Sequence, residues 1–256
     1  MKFTCYEHWN DIPPSCLSLF EEAEKNSLFF SHQWFENLVQ TALKNDQKLL
    51  IACVIEDEPN KESHFLDLTV IDHFDFIIGF IKRENQTFSQ YLADRPSKVR
   101  NTIARKQRKL TREHGYKIHM YKDGDVEQAL ADYHALYKVS WKANEQYEEI
   151  VRGFVDKANK AEWLRLGILY IADKPIAAHL WFTVHRKASI FRLVYDQDWK
   201  QYSPGSILMS YMMEYAIDVD NVEEIDFLTG NDRYKQDWMS ERRERSGITF
   251  VKRPED

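Results

Sequence analysis

Asp226-Phe227-Leu228-Thr229-Gly230-Asn231-Asp232-Arg233-Tyr234-Lys235 is the stretch on which the architecture turns. Glu223 to Leu228 reads as a strand, Gly230 as a turn, and Asp232 to Met239 as a short helix. Upstream, Ser203-Pro204-Gly205-Ser206 opens a helix to about Ile217. Before it lie three strands, Ile168 to Ala172, Ile176 to His185 and Ser189 to Asp196. The Asp173-Lys174-Pro175 and Arg186-Lys187 turns join them too tightly for anything but an antiparallel meander. Further out, Tyr116 to Tyr121 alternates as a strand. Asp123 or Asp125 caps a helix to about Trp141, and a second helix covers roughly Glu145 to Lys160. Gly247 to Val251 closes the chain as a strand. The order β-α-α-β-β-β-α-β-α-β predicts an α/β (α+β) fold, a mixed sheet with helices on it.

The N-terminal part reads helix, helix, then strands. Leu17 to Lys25 and Gln33 to Leu43 are helical, the second capped by Ser31; Leu49 to Glu56, Phe65 to Ile71 and Phe76 to Ile81 are strands, with a break at Pro59-Asn60. Between the two parts, Arg95, Lys98, Arg100, Arg105, Lys106, Arg108, Lys109 and Arg112 form a basic run with no acid. Removing these eight from the chain's 35 basic residues leaves 27 against 41 acids. Val99, Ile103 and Leu110 recur at helical spacing, so the run is an amphipathic helix ending at His114-Gly115. Its basic face is either a solvated counterweight to an acidic body or a track for a polyanion. The resulting division is residues 1–93, a connecting helix over 94–114, and a domain over 115–256.

A chain of 256 residues that is 43 % apolar and 30 % charged can bury a core and is not a disordered polyelectrolyte. Cys5, Cys16 and Cys53 are an odd set with no C-x-x-C pair, which argues against a disulfide framework and a structural zinc site. No spacing for a metalloprotease, P-loop, dinucleotide fold or nucleophile elbow occurs. The apolar stretches, such as Phe76 to Ile81, are too short to span a bilayer, and the N-terminus has no apolar h-region. A cytoplasmic location is the expectation.

Element order and residues together resemble the GNAT acyltransferase fold. More narrowly they resemble the branch of cellulose-biosynthesis acetyltransferases and FemAB-like aminoacyl transferases. The resemblance is carried by Leu169 to Ala178, the Tyr195-Asp196 strand end, Ser203-Pro204-Gly205, and above all Asp226 to Lys235, which matches the family pattern D-F-x-x-G-x-x-x-Y-K. It covers the chain from about Tyr116 onward. Members of this branch often carry a degenerate GNAT-like half at the N-terminus, and residues 1–93 fit a shortened version. The usual glycine-rich R/Q-x-x-G-x-G/A loop is replaced by Gln201-Tyr202-Ser203-Pro204-Gly205-Ser206, which leaves a carrier other than coenzyme A open.

The resemblance implies a wedge between strands ending at Asp196 and Leu228, whose backbone would bind a pantetheine arm as an added strand does. Tyr195, Ser203, Pro204, Gly205, Ser206 and Gly230 would then contact acyl-CoA, with a pyrophosphate at the helix beginning at Ser206. Tyr234 would protonate the leaving thiolate and Lys235 would stabilise oxyanion charge. Asp226 is a base, an orienter of the acceptor amine, or a cap of the Gly230 turn. Asp196 is a contact for a cationic acceptor; His179 is a substrate contact or a satisfied sheet histidine. No metal is implied, and the lack of cysteine after Cys53 fits direct attack without a Cys acyl-enzyme.

Three functions follow: an acyl-CoA-dependent N-acyltransferase, acetyl-CoA being the leading donor and a sugar, peptide or other small-molecule amine the acceptor; an aminoacyl-tRNA-dependent transferase using the Arg95–Arg112 helix for tRNA; and a non-catalytic GNAT-fold module in a polysaccharide or envelope pathway.

Overall fold

The computed structural model describes residues 2–43, 51–55, 68–142, 147–230 and 232–252. In chain order the elements are β1 (Lys2–Tyr6), α1 (Pro14–Glu24), α2 (His32–Thr41), β2 (Ile51–Ile55), β3 (Leu68–Lys82), α3 (Phe88–Ala93), α4 (Ser97–Glu113), β4 (Lys117–Tyr121), α5 (Glu127–Val139), α6 (Glu148–Lys160), β5 (Leu164–Ile171), β6 (Lys174–Val184), β7 (Lys187–Tyr195), α7 (Pro204–Glu214), β8 (Glu224–Thr229), α8 (Arg233–Trp238) and β9 (Glu241–Lys252). From β4 onward this is the order predicted from sequence. The chain divides into two compact units. One is Met1–Phe76 with Glu149–Phe154 and Glu244–Asp256; the other is Ile77–Glu148 with Val155–Arg243.

In the first unit β1 and β2 pair antiparallel, Lys2 opposite Ile55 through Tyr6 opposite Ile51. Ser31 caps α2, its hydroxyl accepting the Trp34 N–H at 3.2 Å. Buried Asn37 donates to the Ile150 carbonyl at 2.9 Å, and Trp34 meets Phe154 edge-on at 4.9 Å. The predicted strand break between Ile71 and Phe76 does not occur, because β3 is one strand of 15 residues. Phe74 and Asp75 are exposed, so polar residues there cost the strand little. The predicted strand residues Leu49, Leu50 and Glu56, the break at Pro59-Asn60, and residues 65–67 and 145–146 lie outside the described residues, as does Asn231.

The second unit holds β4 to β8 with residues 77–82 of β3 and 241–243 of β9, in a sheet of order β4-β5-β6-β7-β8-β3-β9. The meander β5-β6-β7 is antiparallel throughout. Its hairpins turn where Ala172 and Asp173, then His185 and Arg186, take positive φ, the left-handed pair that a tight hairpin needs. Alternation on β6 sends Ala178, Leu180 and Phe182 to one face, where α5 packs through Leu130, Tyr133 and Leu136. Ala177, His179 and Trp181 face the other way, toward α7. Gly167 of β5, opposite His179, lets α7 come close: a β-carbon there would stand 2.4 Å from Met212 Sδ. On that same face Val99, Ile103 and Leu110 of α4 join the α7 core, so the predicted apolar stripe of the basic helix is a packed one. Among the described residues no helix is long and apolar enough to cross a membrane.

Candidate active site

β7 and β8 run parallel and pair only at Lys187↔Glu224, Ala188↔Ile225 and Ser189↔Asp226. Beyond that point each keeps its other neighbour: Tyr195 of β7 still pairs with Ala177, and Thr229 of β8 with Ile78. The two strands therefore diverge. A β-bulge on each explains why. Leu180 and Trp181 face Arg192 and Ile190, so Phe191 is an extra residue in β7; Phe80 and Ile78 face Asp226 and Thr229, so β8 also carries one extra. Bulges bend a strand and raise its twist, and here they sit one or two residues past the last paired position. The gap leaves main-chain groups of residues 190–195 and 227–229 facing each other without mutual pairing.

The end of β7 leads to the first turn of α7. Asp196 is buried, its carboxylate accepting from Lys174 Nζ at 2.9 Å and from the Asp198 N–H at 3.0 Å. It thus caps the 3-10 turn Gln197–Tyr202 and has both oxygens engaged. Ser203 is left-handed (φ 53°) and Pro204 opens α7. Ser206 and Ile207 both donate their N–H to the Ser203 carbonyl, at 3.0 and 3.2 Å. Pro204 has no N–H. Among the described residues Gly205 is therefore the main-chain donor left free in this turn, fewer than sequence alone suggested. Gly205 is also a close-approach position, since a β-carbon there would lie 3.3 Å from Tyr195 Cδ1.

Helix α4 flanks this turn. Lys106 Nζ donates to the Gln201 carbonyl, and Lys109 lies 4.7 Å from the Tyr202 ring centre. The Tyr202 hydroxyl donates to Glu113 at 3.0 Å and lies 2.9 Å from His114 Nε2. Arg95 is fixed elsewhere, on the carbonyls of Trp238 and Met239 at 3.0 and 3.1 Å. Lys98, Arg100 and Arg105 are exposed and show no ion pair among the described residues.

On the β8 side, Gly230 turns at φ 115°. Lys235 is buried, with Nζ donating to the Thr229 carbonyl at 2.7 Å and 3.8 Å from Asp232 Oδ2. Burial lowers its pKa, against the opposing pull of Asp232 and Asp226. Tyr234 beside it is 37 % exposed; burial of its hydroxyl, helped by the Asp232 charge, raises its pKa, so it is protonated at neutral pH. The Asp226 carboxylate is buried and accepts the Leu228 N–H at 2.7 Å and Arg243 Nη2 at 2.6 Å. His179 lies under α7 with both ring nitrogens unpartnered. Burial, with a smaller push from the Lys142 charge, lowers its pKa to about 3, which keeps it neutral.

Tyr195 and Gly205 thus stand close together at the end of the β7 arm, and Gly230, Tyr234 and Lys235 follow directly on the β8 arm. The structure places Asp226 at the vertex, and His179 and Asp196 in buried positions. It adds Trp141, which sequence reading used only as a helix end. Its indole packs tilted against Tyr195 at 4.5 Å between ring centres, yet the residue is 49 % exposed. The available signal was an aromatic just past the end of α5, where solvent exposure is the rule. Among the described residues, no group of His, Cys, Asp and Glu could hold a metal ion.

A family model described as Acetyltransferase (GNAT) domain matches residues 97–236. No curated protein matches the chain. Among solved structures, FemX is similar at 9 % identity and a TM-score of 0.51, covering 69 % of this chain and 59 % of that one. The C-terminal domain assigned to a lysylphosphatidylglycerol synthetase from Agrobacterium fabrum is similar at 9 % identity and a TM-score of 0.50, covering 73 % of this chain and 63 % of that one. The chain thus spans less than two thirds of either. At such identities the likeness concerns the fold alone.

Proposed function

Because the chain belongs to the acetyltransferase (GNAT) domain family, we propose that it is an N-acyltransferase of the FemAB-like branch, moving an acyl group, acetyl first among them, from acyl-CoA to an amine. The observation that carries this reading is the divergence of β7 and β8 past Ser189 and Asp226. An extended pantetheine arm can hydrogen-bond the exposed edges as a strand would, with its phosphates toward Gly205 and the Lys106–Lys109 side of α4. The amine nitrogen attacks the thioester carbonyl carbon and forms the C–N bond. The tetrahedral intermediate collapses by breaking C–S, and Tyr234 gives its phenolic proton to the departing thiolate. The attacking nitrogen loses its proton to water. Lys235, held on Thr229, braces the turn that presents Tyr234. Trp141 and Tyr195 line the mouth on the β7 side.

Incubation with acetyl-CoA and a panel of sugar, peptide and polyamine acceptors, following free thiol, tests the proposal. Thiol release that depends on an amine supports it; no release with any amine, together with no CoA-induced thermal shift, removes it.

A second reading, an aminoacyl-tRNA donor, is favoured by one observation: Lys98, Arg100 and Arg105 stand exposed along α4 with no ion pair among the described residues. It predicts salt-sensitive retention of tRNA.

A further inference from the structure

Asp226 ends the shared ladder of β7 and β8 and also begins the bulge that separates them. We infer that Asp226 is a positioning residue that holds the gap open; this rests on the transferase reading only for what the gap binds. Ser189↔Asp226 is the last pair toward β7, and Phe80↔Asp226 is the last regular pair toward β3 before the extra residue. Two residues on, Leu228 takes φ +55°, a left-handed conformation that a residue with a β-carbon seldom adopts. Its N–H donates to Asp226 Oδ1 at 2.7 Å. A carboxylate that bonds the N–H two residues ahead offers the backbone an alternative to a sheet ladder. Asp226 thereby holds the kink that turns β8 aside.

The carboxylate is itself fixed. Oδ2 accepts from Arg243 Nη2 at 2.6 Å, and the same guanidinium reaches Glu224 at 2.6 and 3.3 Å. Glu224 also pairs with Lys187 Nζ at 3.2 Å. Lys187 and Glu224 are opposite each other at the first rung of the ladder, so these two carboxylates and two cations tie β7, β8 and β9 together below the vertex. Glu224 clamps the closed end while Asp226 bends the open one. Each oxygen of the Asp226 carboxylate thus has a partner that fixes its orientation, Leu228 N–H at Oδ1 and Arg243 at Oδ2.

Three variants and two readouts test this. Asp226→Asn keeps an oxygen for the Leu228 N–H; Asp226→Ala removes it; Asp226→Ala with Leu228→Gly restores a backbone that accepts positive φ unaided. For Asp226→Ala, the Leu228 amide exchanges about tenfold faster or more while the Ile225 amide is unchanged. The KM for acyl-CoA rises about tenfold, kcat stays within about threefold, and the pH profile keeps its shape. The double variant regains the wild-type KM. Asp226→Asn, which keeps the Leu228 bond but sets its amide N–H against the Arg243 guanidinium, keeps kcat within about threefold and raises the KM less than Asp226→Ala does. A hundredfold loss of kcat in Asp226→Asn with loss of the acid limb of the profile makes Asp226 a base and overturns the inference. So does an unchanged Leu228 amide in Asp226→Ala, or no rescue by Leu228→Gly. If Asp226→Ala does not fold, Asp226→Asn and the double variant still decide. If no acyl-CoA is turned over by the wild type, the transferase reading fails while the exchange measurement still judges the device.

Discussion

The indole of Trp141 lies tilted against the ring of Tyr195, 4.5 Å between centres, and a β-carbon at Gly205 would stand only 3.3 Å from that same ring. A residue at the end of α5, the last residue of β7 and the first turn of α7 therefore meet at one mouth of the gap. Such a contact adds about 0.5–1.5 kcal/mol beyond burial. Trp141→Ala is expected to raise the KM for acceptor or donor about three- to tenfold, with little loss of melting temperature because half the ring is exposed. Steady-state kinetics with both substrates varied check this; unchanged KM values for both would remove Trp141 from the site.

Tyr234→Phe deletes the proposed acid and keeps the ring. It should lower kcat by about a hundredfold or more and leave CoA affinity unchanged by calorimetry. Because burial raises the Tyr234 pKa above its ordinary 10.0, the wild-type rate should not fall through loss of this proton between pH 7 and about 10. A fall centred near pH 8 that disappears in Tyr234→Phe contradicts the assignment.

His179 makes stability depend on acid. Its folded pKa, about 3, lies below its ordinary 6.5, so between those values the unfolded chain binds a proton that the folded chain refuses. Unfolding free energy should therefore decrease as pH falls below 6.5, with a slope approaching about 1.4 kcal/mol per pH unit from this group. Denaturant titrations from pH 7 to 4 measure it. His179→Phe should flatten the slope; an unaltered slope means another group is responsible.

Glu224 acts at lower pH. Burial pushes its pKa up, but Arg243 and Lys187 together outweigh burial and hold it below 4.5. A depressed carboxylate contributes stability above its unfolded pKa and loses it as pH falls through the folded one. Glu224→Gln should thus be less stable than wild type at pH 7, by about 1 kcal/mol because Arg243 keeps Asp226, and the difference should shrink below pH 4. Equal stability at both pH values would show the cluster to be idle.

Gly167 allows the close approach of α7. Gly167→Ala places a carbon 2.4 Å from Met212 Sδ and should cost about 1–3 kcal/mol, a drop of a few degrees in melting temperature. Because Met212 is itself buried in the core, Gly167→Ala combined with Met212→Ala should cost less than the sum of the two single losses, and that non-additivity identifies the clash as the cause.

The element order from Tyr116 onward was legible because its signals are local: β-branched runs, tight two-residue turns, and a proline that starts α7. The stripe Val99, Ile103 and Leu110 was equally legible, since helical spacing needs no partner to be seen. The continuous β3 was not, because pairing with neighbouring strands overrides the weak strand preference of Asp72, His73 and Asp75. Nor were the partners of Asp226 and Asp196. Arg243 is 17 residues from Asp226 and Lys174 is 22 from Asp196, and a carboxylate in a sequence does not announce whether a cation will reach it.

Sequence alone fixed the residue types at the site, a phenol and a lysine one turn past a strand, and the family pattern that contains them. Only the tertiary structure decided which groups are free to act. Strand register set where β7 and β8 part, and ion pairs from Lys174 and Arg243, 22 and 17 residues away, occupied Asp196 and Asp226. Those outcomes depend on contacts between distant segments, and such contacts form only when the sheet assembles.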